Sequence, residues 1–201
     1  AEPSRAGAMR IVAGKHRGRK LLVPEDATIR PTSDRAREAL FNILEHGPFA
    51  AGGSPLLGRR VLDAFAGTGA LGLEALSRGA AEVSFLELAP AARKLLGANI
   101  AMLGETANSR ILAGDATRPP RAPAAVGLAF LDPPYGKELG SAALAALEAA
   151  GWFVSAALIT LEIGAREPLD LPAGFWLLDE RRYGAARLLF IEAPTASSLN
   201  R

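Results

Sequence analysis

From Arg59 onward, short apolar runs alternate with stretches in which apolar residues recur every three or four positions. The runs at 61–65, 83–88, 110–113, 126–131, 157–163, 175–178 and 187–191 read as strands, too short and too uniformly apolar to be amphipathic helices. Between them, 70–77, 90–103 and 139–149 carry helical spacing, the second opened by Pro90. Such regular alternation predicts an α/β fold: a doubly wound, mostly parallel sheet with helices on both faces. The last two strands are close in sequence, joined by 179–186, and should form an antiparallel hairpin.

Ahead of this series the pattern changes. In 9–23 two short β-prone pieces flank Gly14 and Gly18, which predicts a small N-terminal β-hairpin. A helix follows, with Thr32, Ser33 or Asp34 as its cap and Ala36, Leu40, Ile43 and Leu44 on one face, running to about His46. Residues 47–58, rich in Gly and Pro, read as a linker into a main domain at 59–193. Residues 1–8 are small and polar, expected to be disordered or left over from cloning, with Met9 the natural start; 194–201 is a tail.

Composition narrows the classes. A chain of 201 residues, 49% hydrophobic, can bury about 70% of its unfolded surface in one core. No run approaches the roughly 20 apolar residues of a membrane span, and the start lacks a signal-peptide core, so a cytoplasmic protein without membrane partners is expected. With no cysteine and only two histidines, disulfides, thiolate chemistry and a metal site are not expected. The net charge of +2 hides an asymmetry: residues 1–37 hold nine Lys/Arg against four Asp/Glu, the remainder fourteen against seventeen. Arg10, Lys15, Arg17, Arg19 and Lys20 decorate the hairpin with no acid between them, and Arg30, Arg35 and Arg37 extend the series. A basic arm on a mildly acidic body points to a polyanion, nucleic acid before membrane. His16, among these cations, reads as solvated, and Trp152 as core.

Candidate chemistry lies at strand ends. Gly67, Gly69 and Gly72, between the first strand and helix of the sheet, match a dinucleotide-binding loop, and Glu87 follows twenty residues after Gly67, where it can accept from both ribose hydroxyls. An NAD-dependent oxidoreductase is therefore a competing reading. Asp63, four residues before Gly67, suits the ammonium of a methionine moiety and sits poorly beside a pyrophosphate. That favours S-adenosylmethionine. Asp115 can reach an adenine amine, or can equally be a turn former. Asp63, Glu87, Asp115 and Asp132 fall at four successive strand ends, where open α/β sheets bind ligands.

The fourth of these ends, Phe130-Leu131-Asp132-Pro133-Pro134-Tyr135, is the most distinctive stretch. Consecutive prolines stiffen the turn and supply no N–H, so its exposed groups are acceptors beside the flat ring of Tyr135. That arrangement suits a planar group bearing an NH2, such as a nucleobase amine. Arg181, Arg182, Tyr183 and Gly184, placed in the last hairpin loop, read as an exposed turn within reach of such a base.

With the glycine loop, the acids and the Asp132–Tyr135 turn together, the chain resembles a class I, Rossmann-like methyltransferase of the amino-methylating kind. Residues 9–20, 30–38 and 63–76 resemble the bacterial RsmD family, which methylates a guanine N2 in 16S ribosomal RNA of the small subunit; the resemblance covers 9 to about 191. It implies a seven-stranded sheet with a reversed final hairpin, and S-adenosylmethionine as cofactor. Asp63, Phe65, Gly67, Gly69, Glu87, Asp115 and Ala116 would line the cofactor site, and Asp132, Pro133, Pro134 and Tyr135 would form the catalytic turn. The partner implied is ribosomal RNA, in the small subunit or an assembly intermediate, met by a monomer. Related amino-methyltransferases acting on DNA adenine or transfer RNA use a similar turn, and only the basic arm argues against them.

Overall fold

The computed structural model describes residues 9–24 and 31–195, the side chains of 31–35 excepted. Seven strands form one sheet: β1 (Arg60–Ala64), β2 (Glu82–Glu87), β3 (Ser109–Ala113), β4 (Val126–Leu131), β5 (Phe153–Gly164), β6 (Trp176–Tyr183) and β7 (Ala186–Glu192). Their order is β3-β2-β1-β4-β5-β7-β6. The five strands from β3 to β5 run parallel, and β7 is antiparallel to both β5 and β6. The helices are α1 (Pro31–His46), α2 (Ala70–Ser77), α3 (Pro90–Leu103) and α4 (Leu139–Ala149). Among the described residues no helix is long and apolar enough to cross a membrane.

Strand alternation divides the core into two faces. Val61, Phe85, Leu128 and Phe130 pack with α1, α2 and α3 on one side. Leu62, Leu86, Ala129 and Leu131 pack with Leu144 and Leu147 of α4 and with Trp152 on the other. Trp152 is fully buried, and its indole N–H donates to the Pro120 carbonyl at 2.9 Å.

Two strands are longer than their apolar runs. β5 begins at Phe153, but Val154, Ser155 and Ala156 are exposed, the pairing with β4 shifts between Val126 and Leu128, and Ala156 has φ 58°. That irregular start carries no buried pattern to read. β6 continues to Tyr183, so the loop expected at 179–186 shrinks to Gly184 and Ala185, and Arg181, Arg182 and Tyr183 are strand residues. β6 is the sheet's edge and is largely exposed: it opens on the apolar Trp176, Leu177 and Leu178 and continues in the charged Asp179, Glu180, Arg181 and Arg182. Asp179 pairs with Arg181 at 2.8 Å and Glu180 with Arg182 at 3.5 Å, each two residues along one face.

The N-terminal hairpin is reduced to one bridge, Arg10 to Lys20, supported by Leu21 N–H donating to the Met9 carbonyl at 2.8 Å and Gly18 N–H to that of Ile11 at 2.8 Å. It is fastened to α2 and α3 as a strap. The buried Glu74 carboxylate accepts Val12 N–H at 2.8 Å and Ala13 N–H at 3.0 Å, and Ser77 Oγ donates to the Ala13 carbonyl at 2.5 Å. Buried Asn99 accepts Leu22 N–H at 2.7 Å, and its own amide nitrogen donates to the carbonyls of Leu22 and Thr68, both at 3.0 Å. Gly14, at φ 80°, is where the strap comes closest to α2: a Cβ there would lie 1.9 Å from the Ser77 carbonyl oxygen. Arg78 ties the same region together, bonding Glu74 at 2.8 Å and Glu45 at 2.5 Å over the Phe41 ring.

α1 begins with Pro31 inside its first turn, so Thr32, Ser33 and Asp34 are helical rather than capping; a proline's missing N–H is no loss there. In 47–58, a short helical turn at Pro48–Ala50 sets Phe49 against Phe190, ring centroids 4.7 Å apart, and Leu56 is buried.

Candidate active site

The strand order reverses between β1 and β4, and the crevice beyond their carboxyl ends is where such sheets bind ligands. A cavity of about 370 Å³ opens there, lined by Phe65, Glu87, Asp115, Ala116, Asp132 and Pro134 among others. A smaller cavity of about 190 Å³ shares Phe65 and Asp132 with it and adds Asp63, Gly67, Arg37 and Glu162. Of the four strand-end acids, Glu87 and Asp115 line the larger cavity, Asp63 the smaller, and Asp132 both.

The glycine loop is built on tight backbone. Phe65 turns out of β1 with φ 64°, rare for a side chain of its size. Gly69, at φ 82°, precedes α2, and a Cβ there would sit 2.3 Å from Leu96 Cδ1. Gly67 N–H donates to Glu87 at 2.7 Å, and the other Glu87 oxygen accepts Ala89 N–H at 2.8 Å. Each oxygen still has a lone pair for a ribose hydroxyl. Asp63 is buried and accepts Gly72 N–H at 2.9 Å. Burial pushes its carboxyl well above the ordinary range, and the nearby Asp132 and Glu87 add to this against the pull of the Gly72 bond. Asp115 makes a turn as one of its two readings required: Oδ1 accepts both the N–H and the hydroxyl of Thr117 at 2.8 Å, which lower its pKa.

In the proline turn Pro133 is buried while Pro134 and Tyr135 are exposed. Asp132 has surface open to solvent, yet protein crowds round its carboxyl; that burial, with Glu162 beside it, raises it to about 7. Leu131 pairs with Leu161, so the next register position sets Asp132 beside Glu162. Tyr135 donates its hydroxyl to Glu162 Oε1. Glu167, nearly buried, braces the turn by accepting Gly136 N–H at 2.9 Å and Glu138 N–H at 3.0 Å. Neither glutamate was anticipated as part of the site. A lone acid in the apolar run 157–163 was a signal for Glu162; Glu167 lies in a loop and offered none.

The basic residues separate. Arg10, Arg17, Arg19 and Lys20 are exposed, with Arg10 and Arg19 reaching the carbonyls of Gly18 and Met102. Lys15 is half exposed but ion-paired to Glu105 at 2.6 Å, and His16, rather than being solvated, bonds the same oxygen at 2.6 Å. Arg37 is not part of the exposed basic face. It is buried on the inner side of α1, where its guanidinium donates to the Arg10 carbonyl at 2.9 Å, and it lines the smaller cavity. Arg30 and the Arg35 side chain lie outside the described residues.

A nucleoside carrying hydroxyls, an amine and a cation fits this lining: carboxylate acceptors at Asp63, Glu87 and Asp115 against apolar walls of Phe65, Leu86, Leu88 and Ala116. Comparison with known proteins agrees. The family described as conserved hypothetical protein 95 matches residues 9–192. Ribosomal RNA small subunit methyltransferase D of Escherichia coli (strain K12) is 36% identical over 180 residues, covering 89% of this chain and 86% of that one. The solved structure of Escherichia coli yhhF, provisionally assigned as a methyltransferase, superposes with a TM-score of 0.78 at 34% identity, covering 94% and 99% of the two chains. SMU.776, solved as a complex with SAH, shares the fold alone: 18% identity and a TM-score of 0.58 over 82% of this chain and 50% of that one.

Proposed function

We propose a specific reaction for this chain, which belongs to the conserved hypothetical protein 95, or RsmD, family: methylation of the exocyclic N2 amine of a guanine in 16S ribosomal RNA. The chain is a class I methyltransferase whose cofactor is S-adenosylmethionine. Relatives named as small-subunit rRNA methyltransferases support ribosomal RNA as substrate, in the cytoplasm where subunits are assembled. The dinucleotide reading leaves the proline turn without a role. The observation that carries the guanine reading is Asp132 standing between both cavities with no hydrogen bond from any described residue.

Bound S-adenosylmethionine supplies an electrophilic methyl group. Asp63, Phe65, Gly67, Gly69, Glu87, Asp115 and Ala116 would hold it. A guanine amine is a poor nucleophile because its lone pair is delocalised into the ring. Asp132 and the Pro133 carbonyl accept its two N–H bonds, which localises the lone pair and orients it; the acceleration comes from positioning and electrostatics. Tyr135 holds the unstacked base by its ring face, worth about 1–3 kcal/mol. Arg10, Arg17, Arg19 and Lys20, with Lys15 once it exchanges Glu105 for phosphate, dock the RNA backbone.

The test is to incubate the protein with S-adenosylmethionine and, in parallel, naked 16S RNA, small subunits, transfer RNA and DNA, then digest and identify the methylated nucleoside by mass spectrometry. N2-methylguanosine from ribosomal RNA is expected. Methyladenine from DNA, or product from transfer RNA alone, would overturn the assignment.

A further inference from the structure

Beside Asp132 lies an acceptor that amine activation leaves unused. Register places Glu162 next to Asp132 on the adjoining strand, and the two line the same cavity of about 190 Å³. Oε1 of Glu162 is occupied by the Tyr135 hydroxyl, while no described residue donates to Oε2. Two carboxylates set side by side repel unless a donor-rich group comes between them. The Watson–Crick edge of guanine is such a group, because it presents N1–H directly beside the N2 amine. Adenine presents a bare acceptor at N1, which would face Glu162 lone pair to lone pair. The buried Arg37 guanidinium lines the same cavity and donates to the Arg10 carbonyl at 2.9 Å.

Resting on the guanine reading above, we propose that Glu162 is the specificity-determining residue of the target pocket: its carboxylate accepts guanine N1–H while Asp132 takes the neighbouring amine. Tyr135 then has two duties, stacking on the base with its ring and fixing the Glu162 rotamer with its hydroxyl. Guanine is selected because it alone among the common bases satisfies both carboxylates, and a site built to hydrogen-bond rejects an analogue that leaves it unpaired.

The experiment compares kcat/KM on RNA carrying guanine or 2-aminopurine at the methylated position. 2-Aminopurine keeps the N2 amine and lacks N1–H. The wild-type protein is expected to prefer guanine by about 100-fold. Glu162→Gln can donate to a bare N1 as readily as accept from N1–H, so the preference should fall about 10-fold, with S-adenosylhomocysteine affinity held within about two-fold. Tyr135→Phe keeps the stacking ring but frees Glu162 Oε1, so the preference for guanine should fall in the same direction by a smaller factor. A rate lost equally on both substrates in Glu162→Gln, the ratio unchanged, would overturn the proposal and leave Glu162 a support for Tyr135. An independent reading uses the wild-type protein alone: RNA with inosine at the target, which keeps N1–H, should inhibit about 10-fold better than RNA with purine riboside. Equal inhibition would overturn it. If the wild-type protein instead methylates a base other than guanine, the guanine reading itself falls, a result distinct from an unchanged ratio on an accepted guanine.

Discussion

Glu162→Gln also tests the electrostatics of the site through pH. In the free protein the Asp132 carboxyl sits at about 7 against an ordinary 3.8, with burial the larger cause and the Glu162 charge the smaller. In the proposed reaction ionised Asp132 is much the stronger acceptor for the amine, so kcat/KM should rise along an acid limb near pH 7, a limb belonging to the Asp132–Glu162 pair rather than to either residue. Removing the Glu162 charge withdraws the repulsion and leaves the burial. Since burial is the larger cause, the limb should move down yet stay above the ordinary carboxylate range. The assay is methyl transfer from radiolabelled S-adenosylmethionine to small subunits under subsaturating RNA between pH 5 and 9 (about one-unit steps suffice), with folding checked by thermal melting at each pH. A limb that stays at its wild-type position would mean that Glu162 carries no charge near Asp132. A fall toward 4 would mean that repulsion, and not burial, sets the Asp132 pKa. Either result refutes the reasoning.

Other consequences follow from the same contacts. Because Asp132 titrates higher folded than unfolded, its ionisation costs stability as pH rises from 3.8 through about 7. Asp132→Asn should therefore abolish turnover yet melt a few degrees higher than wild type at pH 8, with the gain vanishing near pH 4; a loss at pH 8 would contradict this. Gly14→Ala forces a methyl onto the Ser77 carbonyl at positive φ, and scanning calorimetry should show a loss of several degrees, corresponding to about 2 kcal/mol or more. Burial raises the Glu105 carboxyl, but hydrogen bonds from Asn108, Lys15 and His16 outweigh it and hold it at about 2. This contribution is present above the ordinary 4.5 and lost as pH falls toward 2, so the destabilisation caused by Glu105→Gln should shrink below pH 4.5. Charge reversal at Arg17 and Arg19 together should raise the KM for RNA about 10-fold or more and flatten its salt dependence, sparing cofactor binding.

The sequence disclosed the fold where burial and periodicity coincide. α2, α3, α4 and β4 occupy the expected spans because each packs its apolar residues against one sheet face. It was silent where strands are exposed. The beginning of β5 is exposed and shifted in register, and in β6 the exposed charged residues from Asp179 to Arg182 imitate a loop. The strand-end acids could be read one by one, but their partners could not. That Glu87 holds Gly67, that Glu162 holds Tyr135, or that Arg37 turns inward depends on register and packing between distant segments. The arm cations looked uniformly free on charge alone, whereas Lys15 and His16 are tied to an acid some ninety positions away.

The strap carries a consequence for the timing of synthesis. Leu22 is clasped by Asn99, 77 residues downstream, and Val12 by Glu74, 62 residues downstream. At roughly 5–20 residues per second, the ribosome needs about 4–15 s after making Leu22 to deliver the amide that holds it. For those seconds the residues that hold the cationic arm in the folded protein do not yet exist. The amides of Val12, Ala13 and Leu22 are claimed only when α2 and α3 have been made, and Asn99, which then closes on Leu22, is also the residue that grips Thr68 in the glycine loop. The segment synthesised first is thereby locked late, and its locking coincides with completion of the loop that would receive the cofactor.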